Sequence, residues 1–158
     1  MKNLNNNIYV ESEVMLSCDL IDTIEGYIED LKSVLSGETI CLINDMLESA
    51  NKDELYKLCN SLSLISILGV DDINMINTLV QADEINKIAF LDIEYHICDY
   101  LTDYKFYDMN LDGFTMYHLL YNKDIPIYAK DLISFERYKK MLVRDGLIAS
   151  DYGVLYPR

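Results

Sequence analysis

The chain of 158 residues is poor in the residues that build metal sites and disulfide frameworks. It has no tryptophan, two prolines, two histidines and four cysteines, and no two cysteines form a CxxC pair. The scarcity of proline suits helices. Cysteines spaced this widely are expected to be buried, reduced side chains of a cytoplasmic protein, so we expect no disulfide framework.

Long apolar runs are also missing. No stretch approaches the roughly 18 to 20 residues that a transmembrane helix needs, although 51% of the residues are hydrophobic, which is enough to bury a core. The Asn-rich segment 1–10 carries one lysine and does not have the pattern of a signal peptide. The length allows one domain or two small ones.

Basic residues are scarce as well, with 13 Lys and Arg against 27 Asp and Glu, for a formal net charge of -14. Such an excess repels nucleic acid and anionic membranes, because both are polyanions. The same charge attracts a basic protein partner and speeds its encounter. An acidic surface also keeps a protein soluble, and this alternative stays open at the level of composition.

Motifs that carry chemistry are absent or incomplete. There is no Gly-rich phosphate loop and no nucleophile elbow. His96 and Cys98 are two residues apart on a predicted helix, so they point to different sides and cannot easily chelate one metal. Asp108–Gly113 begins like a calcium loop, but Leu119 occupies the position of the required bidentate Glu. We therefore expect no catalytic residue, no metal and no cofactor.

Hydrophobic spacing predicts a helix-rich α+β protein with a small C-terminal β-hairpin. Asn51 and Glu54 predict a capping box, whereas Gly37 and Gly69 are expected to end helices. The turn residues 151–153 predict a hairpin over residues 147–156. Helices are expected over residues 13–35, 39–49, 51–67, 71–80, 92–104, 113–121 and 131–144, and a short strand over residues 5–10. A soft boundary separates a helical region, 1–90, from an α+β region, 91–158.

Acidic side chains recur on one face of two predicted helices. On a helical wheel, the acids of the first helix lie opposite its apolar residues. Those of the helix after residue 91 line one edge, and Ile93, Ile97 and Leu101 are expected to be buried beneath them. Their spacing is similar in scale to that of the phosphates along a DNA strand. Solvated faces of ordinary amphipathic helices would show the same pattern. The candidate partner-binding acids are Asp19, Asp22, Glu25, Glu29, Asp92, Asp99, Asp103, Asp108 and Asp112.

The C-terminal stretch carries a recognisable motif. Ile125-Pro126 is followed, seven residues after the proline, by Ile133. The next matching positions are Phe135, Glu136, Tyr138, Leu142 and Gly146. Ile148, Ser150 and Gly153 then match a closing hairpin. This pattern resembles the third domain of the ArdA-type antirestriction proteins. The chain departs from the family pattern at Ser134, in place of Asp, and at Lys139-Lys140-Met141, in place of Gly-Arg-Asp.

The resemblance implies a DNA mimic, often dimeric, that occupies the DNA-binding groove of type I restriction-modification enzymes. It implies no catalysis and no direct contact with nucleic acid. The alternatives are an anti-CRISPR or another nuclease inhibitor from a mobile element, and a plain acidic protein-interaction module. Ten of the 13 tyrosines lie from Tyr95 onward, and tyrosine is common at interfaces.

Overall fold

A computed structural model describes residues 19–158, and the strand expected over residues 5–10 lies outside this range. The fold is helix-rich α+β, as expected. Its elements are α1 (19–31 in the described range), α2 (Gly37–Ser49), α3 (Lys52–Ile65), α4 (Val70–Gln81), α5 (Lys87–Phe90), α6 (Ile93–Asp103), β1 (Tyr104–Tyr107), α7 (Leu111–Tyr121), α8 (Ile127–Lys130), α9 (Phe135–Arg144), β2 (Ile148–Ser150) and β3 (Gly153–Pro157).

Capping side chains explain where several helices begin. The predicted capping box is confirmed, because the Glu54 amide donates to Asn51 Oδ1 at 2.9 Å and the Asn51 amide donates to Glu54 Oε2 at 3.1 Å. The side chains of Asn86 and Asn110 cap α5 and α7 by accepting hydrogen bonds from the amides of Ala89 and Gly113. These caps satisfy amide groups that the first helical turn leaves without a partner.

Two glycines have the opposite role from the one expected. Gly37 is the first residue of α2, where Ser36 is the N-cap and accepts a hydrogen bond from the Thr39 amide at 3.0 Å. Gly69 is the N-cap of α4, and α3 already ends at Ile65. Glycine is compatible with both ends of a helix, so its presence indicates a helix boundary but not whether a helix begins or ends there.

The helix expected over residues 131–144 is shorter. It begins at Phe135, and a separate single turn, α8, precedes it. Pro126 is the N-cap residue of α8, which fits the preference of proline for the start of a helix. Gly146, at φ 102°, follows the end of α9, where its left-handed conformation favours glycine.

The chain divides into two compact units. Within the described residues, the first comprises residues 19–68 together with Asn86–Glu94. Its buried apolar side chains come from α1, α2, α3 and α5 and include Ile24, Ile43, Leu58, Leu62 and Phe90. The Ser61 hydroxyl donates to the Phe90 carbonyl at 2.9 Å, which ties α3 to α5.

The second unit comprises Gly69–Ile85 and Tyr95–Arg158. The predicted hairpin is confirmed: β2 and β3 pair antiparallel, with Ser150 opposite Gly153. β1 adds a third strand, antiparallel to β3, so the strand order is β1-β3-β2. Gly153 has φ 152°, and a Cβ there would overlap the Phe106 ring of the neighbouring strand, so this close approach requires glycine.

Helices cover the sheet of the second unit. α7 packs against α9 and β3, and α4 packs against β2 and β3. Val154 and Leu155 are both fully buried although successive strand residues face opposite sides, so both faces of β3 are covered. The cluster around Val154 consists of Phe114, Leu119, Tyr138, Leu142, Leu147 and Val154.

Candidate functional site

The acids of α1 lie on its solvent side in the first unit. Asp19, Asp22, Glu25 and Glu29 are all exposed. Ile24 is fully buried on the other side of the same helix, because a helix turns by about 100° per residue and residues two positions apart point apart. We refer to Asp19, Asp22, Glu25 and Glu29 as the α1 acidic face.

Positive charge scarcely compensates the α1 acidic face. Glu29 forms an ion pair with Lys32, and both side chains are mostly exposed. Within residues 19–158, no basic group lies within 4.0 Å of the carboxylates of Asp22 and Glu25. Like charges three and four residues apart cost a helix about 0.2–0.5 kcal/mol per pair. The face therefore carries a small stability cost that a basic partner would remove.

The second group of predicted acids is also exposed. Asp92 directly precedes α6 and belongs to the first unit, whereas Asp99 and Asp103 belong to the second. The expectation that Ile93, Ile97 and Leu101 are all buried beneath them is wrong at one position. Ile93 and Ile97 are buried, but Leu101 is 40% exposed.

Helix geometry explains the exposure of Leu101. Each step of four residues advances the side chain by about 40°, so Leu101 is rotated by about 80° from Ile93. This places it beside the direction of Glu94, which is also exposed. The apolar stripe of α6 therefore turns toward solvent before the helix ends at Asp103.

The loop that resembled the start of a calcium site begins a helix. Asn110 Oδ1 accepts a hydrogen bond from the Gly113 amide at 2.7 Å, as the N-cap of α7. Asp112 pairs with Lys139 at 2.8 Å, so one of its oxygens already has a cationic partner. Asp108 is exposed. Within the described chain, no three His, Cys, Asp or Glu side chains are grouped to hold a metal ion.

Three of the four cysteines lie in the described range, and all are free thiols. Cys41 and Cys98 are exposed, so the expectation of buried thiols is wrong for both. Cys59 is half-buried, and burial raises the pKa of its thiol. Each exposed thiol lies on the outer side of an amphipathic helix, a placement that composition could not reveal.

A polar cluster in the second unit was not predicted from the sequence. His118 Nδ1 lies 2.8 Å from the buried Tyr138 hydroxyl, and Asn122 Nδ2 donates to that hydroxyl at 3.2 Å. Which atom donates between His118 Nδ1 and the hydroxyl depends on the imidazole tautomer. Burial lowers the pKa of His118, so the ring is neutral at pH 7. A signal was present: His118 and Asn122 are four residues apart at the end of α7, a spacing that places both on one side of the helix.

Charge is divided unevenly along the chain. Residues 19–112 hold 20 acids and five bases, whereas residues 113–158 hold five acids and seven bases. The net negative charge of the described residues thus lies before residue 113. Arg137, Lys140 and Arg144 are exposed on α9 and form the main basic surface of the second unit.

An apolar patch is exposed in the second unit. Ile127 and Tyr128 of α8, together with Leu132, are each at least 80% exposed. Three large apolar side chains so close together and so exposed are unusual on a protein surface that contacts only water. We refer to these three residues as the α8 patch.

Fold and surface together define a small helix-rich α+β protein with an exposed acidic face on α1. No family model matches the chain, and neither a curated protein nor a solved structure matches it. None of the described helices is long and apolar enough to span a bilayer.

Proposed function

We propose that the protein is an acidic inhibitor that mimics DNA and blocks the DNA-binding groove of a host defence enzyme. The observation that carries the proposal is the α1 acidic face, whose carboxylates are exposed and in which Asp22 and Glu25 have no cationic partner among the described residues. Carboxylates held this way are available to the Lys and Arg side chains that line a DNA-binding groove.

Helix geometry supports the mimicry. With a rise of 1.5 Å per residue, Asp22 and Glu25 are separated by about 4.5 Å along the axis, and Glu25 and Glu29 by about 6 Å. A DNA strand carries one phosphate per about 3.4 Å of helix axis. A row of carboxylates on this scale can meet several of the basic side chains that normally contact successive phosphates.

The type I restriction-modification enzymes are the proposed target, and the ArdA-like motif of the C-terminal stretch supports this choice. An inhibitor of this kind acts by occupancy, so it needs no catalytic residue. DNA and membranes are not partners, since a net charge of -14 opposes both. The α8 patch supports a homodimer, because a second copy would cover apolar side chains that are otherwise in water.

A competition experiment tests the proposal. The full-length protein is titrated into a purified type I restriction-modification enzyme bound to labelled duplex DNA, with polyglutamate as a control polyanion. We expect displacement of the DNA at far lower concentrations than polyglutamate requires. Raising the salt from about 50 mM to 200 mM should weaken binding of the protein steeply.

Two results would contradict mimicry. Binding that is flat across the salt range would indicate a plain interaction module. Displacement no better than that by polyglutamate would mean that the acidic face is only a solvated surface. If the protein displaces DNA from a CRISPR nuclease but not from the restriction enzyme, the DNA-mimic proposal stands and its target is the CRISPR nuclease.

A further inference from the structure

A pocket in the second unit lies at the C-terminal end of α7. Its volume is about 340 Å³. The last turn of α7 and the residues just after it form most of the wall, and β3 supplies one aromatic ring. The lining residues are Tyr117, His118, Tyr121, Asn122, Asp124 and Tyr156.

Aromatic rings dominate this pocket. The ring centroids of Tyr117 and Tyr121 are 4.9 Å apart, with the planes tilted by 42°. The rings of His118 and Tyr156 are also 4.9 Å apart and meet edge to face. Tyr117 is 40% exposed and Tyr121 71% exposed, so part of their ring surface remains open to a ligand. The faces of such rings carry negative electrostatic potential and attract cations.

The side chain of Asn122 is engaged by neighbouring groups on both its oxygen and its nitrogen. Asn122 Oδ1 accepts from the Asp124 amide at 2.9 Å, and Asn122 Nδ2 donates to the Tyr138 hydroxyl. His118 Nδ1 is occupied by the same hydroxyl. The Asn122 amide and the His118 Nδ1 therefore hold the wall of the pocket in place, while the aromatic rings, the tyrosine hydroxyls and the Asp124 carboxylate are left to contact a ligand.

Asp124 supplies one carboxylate to the wall of the pocket at this end of α7, and neither Lys123 nor Lys130 lines it. Asp124 is exposed, and no basic group lies within 4.0 Å of its carboxylate in the described chain. The C-terminus of a helix carries partial negative charge from carbonyl groups without partners. One of these carbonyl groups already binds a cation, since Lys130 Nζ donates to the Leu120 carbonyl. The neutral His118 adds no opposing charge.

We propose that this pocket binds the guanidinium group of an arginine on the partner protein. A guanidinium is planar and stacks on aromatic faces, and it can donate two parallel hydrogen bonds to one carboxylate. An ammonium group matches only the charge. The partner's identity rests on the proposed function, whereas the chemistry of the pocket does not.

Small probes test this with the full-length protein. N-acetyl-arginine amide is titrated while the tyrosine ring and His118 signals are followed by NMR, and N-acetyl-citrulline amide serves as the neutral control of equal length. We expect saturable shifts at the pocket with the arginine probe only. Y121L should weaken its binding about two- to fivefold through the lost ring face. D124N should weaken it by up to about fivefold through the lost charge.

Matched variants test whether the effect belongs to the pocket. Tyr95 and Asp131 are exposed and do not line it, so Y95L and D131N should bind the arginine probe like the parent. Equal binding of the citrulline probe, no shift at tens of millimolar arginine probe, or parental affinity in Y121L and D124N would each overturn the proposal. Preferential binding of adenosine would also overturn it and indicate a nucleobase site.

The two proposals can fail separately. If the arginine probe does not bind but the protein still displaces DNA from the restriction enzyme, the pocket proposal fails and the mimic stands. If the probe binds with the expected selectivity but no DNA is displaced, the guanidinium pocket stands without that target.

Discussion

Neutralising three carboxylates of α1 should separate function from stability. In the variant D22N/E25Q/E29Q, the side chains keep nearly the same shape but lose three negative charges. All three are exposed, and the apolar side of the helix, with Ile24 at 0% exposure, is untouched. We therefore expect a folded protein with weaker inhibition.

The magnitude follows from the contacts of α1. The triple change removes like-charge pairs at spacings of three and four residues, each costing about 0.2–0.5 kcal/mol. It also removes the exposed Glu29–Lys32 pair, whose contribution is of similar size. Stability should thus change by less than about 1 kcal/mol. If each carboxylate contributes about 0.2–1 kcal/mol to the complex, the loss is about 0.6–3 kcal/mol, or about 3- to 150-fold in Kd.

The assay combines a urea unfolding curve with DNA displacement from the restriction enzyme at two salt concentrations. A control variant, E48Q/D131N/D145N, loses the same net charge from exposed positions outside the α1 acidic face. We expect the α1 variant to lose affinity and salt dependence, and the control to lose little of either.

Equal losses in the two variants would mean that net charge matters and the α1 face does not. Parental inhibition by the α1 variant would refute the assignment of this face. The exposed acids Asp99 and Asp103 would then be the next to neutralise.

Three further outcomes test the fold and its surfaces. In a urea titration, L142A, at a fully buried site, should lower the free energy of unfolding by about 2–5 kcal/mol, whereas V143A, at a site 48% exposed, should lower it far less. Equal losses in the two variants would contradict the described core. Because burial lowers the pKa of His118 below its ordinary 6.5, the unfolded chain binds the proton more tightly than the folded one, so stability should be complete above pH 6.5 and decline as the pH falls toward the folded-state pKa. H118Q should lose this part of the pH dependence of Tm, and an unchanged dependence would refute the expectation. Sedimentation should give a dimer that I127S/L132S converts to monomer, and a monomeric parent would exclude this role for the α8 patch.

Structural features that depend on neighbouring residues could be predicted from the sequence. The Asn51 capping box and the hairpin turn before Gly153 both appear as expected, since each depends on residues within a few positions. The prediction that Gly37 and Gly69 end helices is wrong, because glycine fits both ends of a helix and these two lie at helix starts. Exposure of the acids on α1 followed from helical periodicity alone.

Long-range contacts were decided by the tertiary structure. The pairing of β1 with β3 brings Lys105 opposite Tyr156, and Asp112 meets Lys139 across 27 positions of sequence. The cluster of His118 and Tyr138 likewise joins two helices. No local pattern encodes such pairs, because they depend on which apolar faces pack together. The sequence by itself determined charge, helix content and the acidic faces, while packing decided which side chains share a pocket.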